Sequence, residues 1–157
     1  MYKIVDNFLT FSEMRTIAEP PFNPFAKGWY TEPKKLYQKR ILEEASNYIG
    51  FSSIVGLEEW HHNPHWSSLP DEHYDKDEAL YEETGELQFP LCSCIYYYRI
   101  RDLVGGDLVL DNTITITPTE NTLVLLEPGL LHNITPYVSG VRLSVNINPW
   151  DYQIKTS

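Results

Sequence analysis

The hydrophobic pattern predicts two helices in the first third of the chain. One helix is predicted within KKLYQKRILEEASNYIG, where aromatic and apolar residues recur at the spacing of one helix face: Tyr37, Ile41, Ala45 and Tyr48. Gly50 is placed to end it. A shorter helix is predicted from Thr10 to about Glu19, because Thr10 and Glu13 have the spacing of a capping box. We therefore expect a short strand in MYKIVDNFL and then a helical support over about residues 10–50.

From residue 51 the pattern changes to short runs rich in Val, Ile, Thr and Tyr, separated by Gly, Pro and Asn. These runs are FSSIVGLEEWHH, QFPLCSCIYYYRI, GGDLVLDN, TITITP, NTLVLLEPG, LHNITPYV and VRLSVNINPW. Helices followed by many short strands predict a mainly β sandwich or barrel with N-terminal helices against one face. Since the sequence has no repeat or linker, we expect a single domain over residues 1–157, with its β core over about residues 51–150.

Charge and hydropathy narrow the partners and the location. The 157 residues include 22 acidic and 12 basic side chains, a net charge of −10. That charge would repel a phosphate backbone, so we expect no nucleic-acid partner. No apolar run reaches the length of a membrane span, and the N-terminus lacks the pattern of a secretion signal. We therefore expect a cytoplasmic protein that does not bind membranes.

The only cysteines, Cys92 and Cys94, stand two positions apart in PLCSCIYYY. On a strand, their side chains would project from one face of the same chain, which is a poor geometry for a disulfide. Two thiols without a second pair of ligands also make a poor zinc site. We interpret both as buried apolar residues of a reduced protein.

An acidic segment, DEHYDKDEALYEETGE, contains a single histidine. Its second half is interpreted as a solvated helix face that stops at Gly85. In its first half, His73 and Asp75 are two positions apart, which on a strand would place both side chains on one face and within reach of one ion. One further imidazole would complete a two-His-one-carboxylate set, which leaves coordination positions open and suits non-haem Fe(II).

The candidate third ligand and an anion-binding pair lie downstream. His132 follows LLEPGL, a predicted strand that ends in a Pro-Gly turn. Arg142 and Ser144 again stand two positions apart and share a face of a predicted strand. An arginine that faces the interior needs an anion, and its planar fork suits a carboxylate, to which a serine hydroxyl adds a further donor. A dicarboxylate could therefore be held between this pair and the metal.

The ordered set of motifs resembles a known family. H-x-D, CIYYYRI, GGDLVL, a Pro-Gly turn followed by histidine, and R-x-S resemble the Fe(II)/2-oxoglutarate-dependent oxygenases over roughly residues 60–150, above all the prolyl-hydroxylase-like branch with its compact bacterial and phage members. The resemblance implies a double-stranded β-helix, the cupin-like jelly roll. It also implies that His73, Asp75 and His132 bind Fe(II), with 2-oxoglutarate and O2 as cosubstrates and ascorbate as a candidate reductant.

The resemblance also assigns the cosubstrate pocket. Arg142 would pair with the far carboxylate of 2-oxoglutarate, assisted by Ser144 and by the hydroxyl of Tyr97. The implied pocket lining consists of Ser93, Ile95, Tyr97 and Leu108. This chain is short for the family, so its substrate loops are expected to be abbreviated, and it has His62-Asn63-Pro64 where many relatives carry a tyrosine before proline or glycine. One contact to the cosubstrate is therefore expected to differ.

Two classes of function follow. By resemblance, the protein would use O2 and 2-oxoglutarate to hydroxylate an amino-acid or peptidyl substrate, with a prolyl residue as one candidate, and would release succinate and CO2. The alternative is a non-catalytic cupin-like module that binds a metal or a small acid. Such a module needs no arginine opposite the metal, so Arg142 and Ser144 count against it. The substrate's identity and the oligomeric state stay open.

The segment WHHNPHWSSLPDE, which immediately precedes His73, is the predicted substrate side. Trp66 could stack on a small-molecule or peptide substrate, and His65 could form a hydrogen bond with it. His61, His62 and His65 form an H-H-x-x-H cluster, but the segment has no helical context, so we interpret these histidines as rim or surface residues and not as a separate metal site. Which of the three contacts substrate is left open.

Overall fold

The computed structural model describes residues 1–17, 28–65 and 71–155, and within them two antiparallel sheets. The strands are β1 (Tyr2–Val5), β2 (Gly28–Tyr30), β3 (Gly56–His62), β4 (Ser93–Gly105), β5 (Leu108–Leu110), β6 (Ile114–Ile116), β7 (Thr122–Leu126), β8 (His132–Ile134) and β9 (Tyr137–Trp150). The helices are α1 (Phe11–Met14), α2 (Leu36–Ile49) and α3 (Glu78–Thr84). The large sheet has the order β1-β7-β4-β9-β3-β2 and the small sheet β6-β5-β8. The mainly β class with N-terminal helices is confirmed.

The large sheet buries a different set of side chains on each face, as its alternating sequence predicts. The interior side carries an apolar cluster made of Ile95, Tyr97, Leu108, Leu110, Ile116, Val124 and Leu126. The other face packs against α2 through a second cluster, which includes Tyr37, Ile41, Ala45, Tyr96, Val145 and Ile147. The first cluster contains residues of both sheets, and the second joins the large sheet to α2. Polar residues on the interior face of the large sheet therefore lie between the two sheets.

The helix boundaries follow the sequence signals. Thr10 caps α1 with both bonds of a capping box: its hydroxyl accepts from the Glu13 N–H at 3.2 Å, and the Glu13 carboxylate accepts from the Thr10 N–H at 2.9 Å. The helix ends at Met14, earlier than the predicted Glu19, which lies outside the described residues. α2 ends at Gly50, whose φ of 98° is the left-handed conformation that glycine adopts most readily. Gly85 ends α3 in the same way, as predicted.

Strand β2 was not predicted, because its three residues follow a segment rich in proline and aromatic residues. It pairs with β3 at the edge of the large sheet, with Trp29 opposite Glu58. The Trp29 ring lies against Gly56, where a Cβ would be 2.2 Å from the indole. The strand therefore depends on a tertiary partner that offers room for this ring, and such a partner is not visible in local sequence.

The cysteines are buried, as interpreted from their spacing. Cys92 and Cys94 are free thiols with 0% and 1% exposure, and both belong to the cluster on the helix side of the large sheet. Burial raises the pKa of the Cys94 thiol well above its usual value. This keeps the thiol protonated and unreactive. No helix in the described part of the chain is both long and apolar enough to cross a membrane.

A buried polar network joins α2 to β3. The carboxylate of Glu59, 7% exposed, accepts from the Tyr37 hydroxyl at 2.8 Å and from the Gln38 amide at 3.0 Å. His61 lies on the same side of β3, with Nε2 3.5 Å from the carboxylate. Burial would raise the pKa of Glu59, but the hydrogen bonds from His61, Gln38 and Tyr37 outweigh it and lower that pKa below its usual value. Glu59 is therefore an anion held between the helix and the sheet.

We expect Tyr37→Phe to reduce the free energy of unfolding by about 1–3 kcal/mol, because it removes a donor from a buried carboxylate. Urea denaturation measures the change. Tyr81→Phe is the matched control, since Tyr81 is 44% exposed and should change stability little. An equal and small effect of both substitutions would show that the Tyr37 hydroxyl contributes nothing to stability.

Candidate metal centre and carboxylate pocket

Backbone pairing brings the two predicted histidine ligands together. The His73 N–H donates to the carbonyl of His132 at 2.9 Å, and the His132 N–H donates to that of His73 at 3.0 Å. This antiparallel bridge is isolated, and Asp75 lies outside any strand. The expected placement of His73 and Asp75 along one regular strand is therefore wrong. A single bridge to β8 suffices to position His73, and the chain after it turns Asp75 toward both imidazoles.

The three side chains converge as a metal site requires. Asp75 Oδ1 lies 3.3 Å from His73 Nε2 and 3.5 Å from His132 Nε2. All three candidate ligand atoms lie within 4.8 Å of one another. Within residues 1–17, 28–65 and 71–155, this is the only group of three or more His, Cys, Asp or Glu side chains that could hold a metal ion.

Backbone carbonyls determine which nitrogen each histidine ring can offer to a metal ion. His73 Nδ1 lies 2.7 Å from the carbonyl oxygen of Asp71, and His132 Nδ1 lies 2.9 Å from that of Leu130. A carbonyl only accepts, so each Nδ1 carries the proton, and each Nε2 is left with a lone pair on the side of Asp75. A backbone carbonyl that accepts from the second nitrogen of an imidazole ligand is common around protein metal sites.

Asp75 is held as an anion with one oxygen toward the rings. The Asn148 amide donates to Oδ2 at 3.1 Å, which leaves Oδ1 facing His73 and His132. Burial would raise the pKa of Asp75, but the hydrogen bonds and charge of His132 and His73, when these rings carry a proton on Nε2, outweigh it and hold that pKa well below its usual value. One carboxylate and two imidazoles with free Nε2 atoms fit a divalent transition-metal ion.

A cavity of about 60 Å³ lies beside the three candidate metal ligands and is lined by the predicted anion-binding pair. Arg142 and Ser144, each 1% exposed, line it from β9, as the predicted shared face requires. Ile95 and Leu108 supply apolar walls. The other two predicted lining residues, Ser93 and Tyr97, lie on the interior face of β4 but do not border this cavity.

Arg142 is fixed from several sides. Its Nε donates to the Gly106 carbonyl at 2.9 Å, and its guanidinium carbon lies 5.3 Å from the centre of the Tyr97 ring. Gly106 has a φ of +73°, and a Cβ there would be 2.9 Å from Arg142 Cδ, so this close approach needs glycine. Burial lowers the pKa of Arg142, although Tyr97 and Asp107 counteract it. The guanidinium is thus a buried cation suited to a carboxylate ligand.

The three histidines that the sequence left undecided point in different directions. His62 lines the cavity, and its Nδ1 lies 3.2 Å from Arg142 Nη1. His61 faces the opposite side of β3, toward Glu59. His65 is exposed and its Nε2 lies 3.0 Å from the Tyr137 hydroxyl. They do not form a second metal site. Sequence analysis did not predict the contact of His62 with Arg142. The available signal was that His62 stands two positions after Trp60 and so shares its face of β3.

A larger cavity of about 290 Å³ lies next to the same metal-binding group, bordered by His73 and Asp75. Trp60, Lys76 and Asn148 also line it. Both cavities are therefore lined by His73, Asp75 and Trp60, so a metal ion held by the first two would be accessible from both. Trp66, the predicted stacking residue, lies outside the described residues.

Comparison with known proteins defines the class of fold. Neither a scan of protein-family models nor a search of curated proteins found a match. Solved structures do match over most of the chain, and they include prolyl hydroxylases and a member of the 2OG-Fe(II) oxygenase family. The chain therefore has the double-stranded β-helix fold of these enzymes, as the sequence motifs predicted.

Three of these structures are compact or ligand-bound hydroxylases. The viral collagen prolyl hydroxylase of Paramecium Bursaria Chlorella virus-1, in a 2OG complex, has a TM-score of 0.62 and 15% identity, covering 94% of each chain. A Pseudomonas putida prolyl-4-hydroxylase has a TM-score of 0.63 and 14% identity, covering 97% of this chain and 93% of that one. A Trichoplax adhaerens prolyl hydroxylase, in complex with a hypoxia inducible factor peptide, has a TM-score of 0.58 and 13% identity, covering 96% and 83%.

Proposed function

We propose that the protein is an Fe(II)- and 2-oxoglutarate-dependent dioxygenase that hydroxylates an amino-acid or peptidyl substrate, with a prolyl residue as the leading candidate. The observation that carries this proposal is the position of a buried, fixed guanidinium, that of Arg142, in the cavity beside the His73, Asp75 and His132 group. A bidentate anion site next to a two-His-one-carboxylate set suits a dicarboxylate that also contacts the metal. The similar structures include a 2OG complex and a peptide complex.

In this proposal His73, Asp75 and His132 hold the iron. Bound Fe(II) supplies the activation of O2 and the oxidation of the substrate's C–H bond. Asp75 lowers the net charge of the site by one, and Asn148 keeps its second oxygen turned away from the imidazoles. The backbone carbonyls behind His73 and His132 contact Nδ1 of each ring and would leave Nε2 of each to hold the ion.

The smaller cavity is proposed to orient the cosubstrate. Arg142 would pair with the far carboxylate of 2-oxoglutarate, with Ser144 beside it as a further donor. Tyr97 is proposed to assist, since its hydroxyl is buried and has no hydrogen-bond partner within the described part of the chain. Ile95 and Leu108 would exclude water from the chain of methylene groups, because they line the same space. Ser93 is proposed to support this wall from the interior face of β4.

The larger cavity is proposed to receive the substrate. It is bordered by His73, Asp75 and Trp60, and Arg142 is not among the described residues that line it. Aromatic surface of this kind suits a ring or an aliphatic side chain, and the acidic protein favours a neutral or cationic substrate over a polyanion. His65 and Trp66 are proposed as rim contacts to the substrate, His65 because it is exposed on the segment that precedes His73.

Turnover of 2-oxoglutarate tests the proposal. The purified protein with Fe(II) and ascorbate is expected to convert 2-oxoglutarate to succinate in air, slowly without substrate and faster with a prolyl peptide or an amino acid that it hydroxylates. Succinate should fall to background without O2, without Fe(II) or in Asp75→Ala. A protein that binds both metal and 2-oxoglutarate but forms no succinate with any candidate substrate would be the non-catalytic cupin-like module instead.

A further inference from the structure

One ring nitrogen in the smaller cavity has no partner. His62 Nε2 is shielded from solvent and makes no hydrogen bond to any described residue. His62 lines the same space as Arg142 and Ser144, because β3 and β9 are paired with His62 opposite Ser144. An unsatisfied buried polar atom costs free energy, so one on a residue that lines a cavity indicates a ligand that completes it.

The contact on the other side of the ring decides what this nitrogen offers. Arg142 Nη1 lies 3.2 Å from His62 Nδ1, and a guanidinium can only donate. Nδ1 must therefore accept, so the proton of the neutral ring is on Nε2. Burial and the nearby charge of Arg142 lower the pKa of His62 to about 4, which keeps the ring neutral near pH 7. The wall of the cavity thus contains a neutral N–H donor without a partner among the described residues.

We propose that His62 is a cosubstrate-anchoring residue that donates its Nε2–H to the carboxylate bound at Arg142. This inference rests on the proposed function, because that carboxylate is the far end of 2-oxoglutarate. A carboxylate has more acceptor positions than one guanidinium edge and one hydroxyl fill. His62 would add a donor to the pocket without adding a second charge, so the pocket's charge would match a single carboxylate.

The geometry gives His62 two separable tasks. Nδ1 contacts Arg142, while Nε2 has no partner among the described residues and is left for the ligand. An asparagine places an amide near the position of Nδ1 and can still accept from Arg142, but it has no group at the position of Nε2. A glutamine reaches the Nε2 position and can donate there. His62→Asn and His62→Gln therefore distinguish a donor to the anion from a residue that only supports the arginine.

Calorimetric titration of 2-oxoglutarate into the Zn(II)-loaded protein measures this without turnover. We expect His62→Asn to weaken binding roughly ten- to a hundredfold, the range for one hydrogen bond to a charged group. His62→Gln should stay within a few-fold of wild type, and Zn(II) affinity should be unchanged in both. The matched control is His61→Gln, which alters the neighbouring histidine on the opposite face of β3. It should bind 2-oxoglutarate like wild type.

A spectroscopic readout accompanies the titration. In the Zn(II)-loaded wild type, the long-range ¹⁵N–¹H spectrum should show the Nε2–H tautomer of His62, and 2-oxoglutarate should move that signal downfield. Equal affinities of wild type and His62→Asn would overturn the role of His62 while leaving the proposed function intact. A loss in His62→Gln that exceeds the loss in His62→Asn would overturn the donor role and reduce His62 to a support for Arg142. If metal-loaded wild type bound no 2-oxoglutarate, both proposals would be overturned.

Discussion

His132→Ala is expected to abolish stoichiometric binding of a divalent metal while the fold persists. The substitution removes one of the three side chains whose ligand atoms lie within 4.8 Å of one another. The remaining pair, His73 and Asp75, would be an incomplete set for a transition-metal ion. His132 also begins β8, but its backbone bridge to His73 does not depend on the imidazole.

Metal content after dialysis against Ni(II) or Zn(II) measures the effect, and circular dichroism verifies the fold. His65→Ala is the matched control, because this exposed histidine binds the Tyr137 hydroxyl and takes no part in the metal-binding group. Wild type and the control should each retain about one ion per chain, as a three-ligand site predicts. Full occupancy in His132→Ala would disprove the three-ligand assignment.

Arg142→Ala is expected to retain the metal and to bind 2-oxoglutarate far more weakly. Removing one partner of a buried charge pair costs about 2–5 kcal/mol, which is roughly thirty- to several-thousand-fold in affinity. Arg142→Lys should restore only part of the loss, because an ammonium lacks the planar fork and cannot reproduce both the Gly106 contact and a bidentate pair.

Titration of 2-oxoglutarate into the anaerobic, metal-loaded protein measures these affinities. Arg101→Ala is the control, since its side chain is 65% exposed and pairs with Glu120 away from the cavity. It should leave the affinity unchanged. If Arg142→Ala bound 2-oxoglutarate as wild type does, the carboxylate would be held by other residues, and the proposed orientation of the cosubstrate would be wrong.

The residues of the candidate metal site and the pair Arg142 and Ser144 could be predicted because each of their motifs is local in sequence. H-x-D, the histidine after a Pro-Gly turn and R-x-S each occupy a few adjacent positions, and the alternation of strands assigns Arg142 and Ser144 to one face. The order of these motifs also predicted the double-stranded β-helix fold. What the order could not provide was the path of the chain between His73 and Asp75, which is irregular and follows from a single bridge to β8.

The contacts that sequence reasoning missed connect distant segments. Asn148 reaches Asp75 from β9, and β2 forms only because β3 accepts it as an edge partner. His61 and His62 posed a different problem: two identical neighbours on a strand must face opposite ways, and composition does not indicate which faces inward. That choice is fixed by the pairing of β3 with β9, a long-range property.

The network around Glu59 has a further consequence, for the fidelity of folding. A slip of β3 by one residue along β9 would exchange its two faces, placing Glu59 and His61 in the interior and turning His62 outward. The slipped arrangement would also strand the Glu59 carboxylate away from Tyr37 and Gln38, its donors on α2. A buried anion without donors is costly. The donors on α2 thus favour the register of β3 in which His62 lines the cavity.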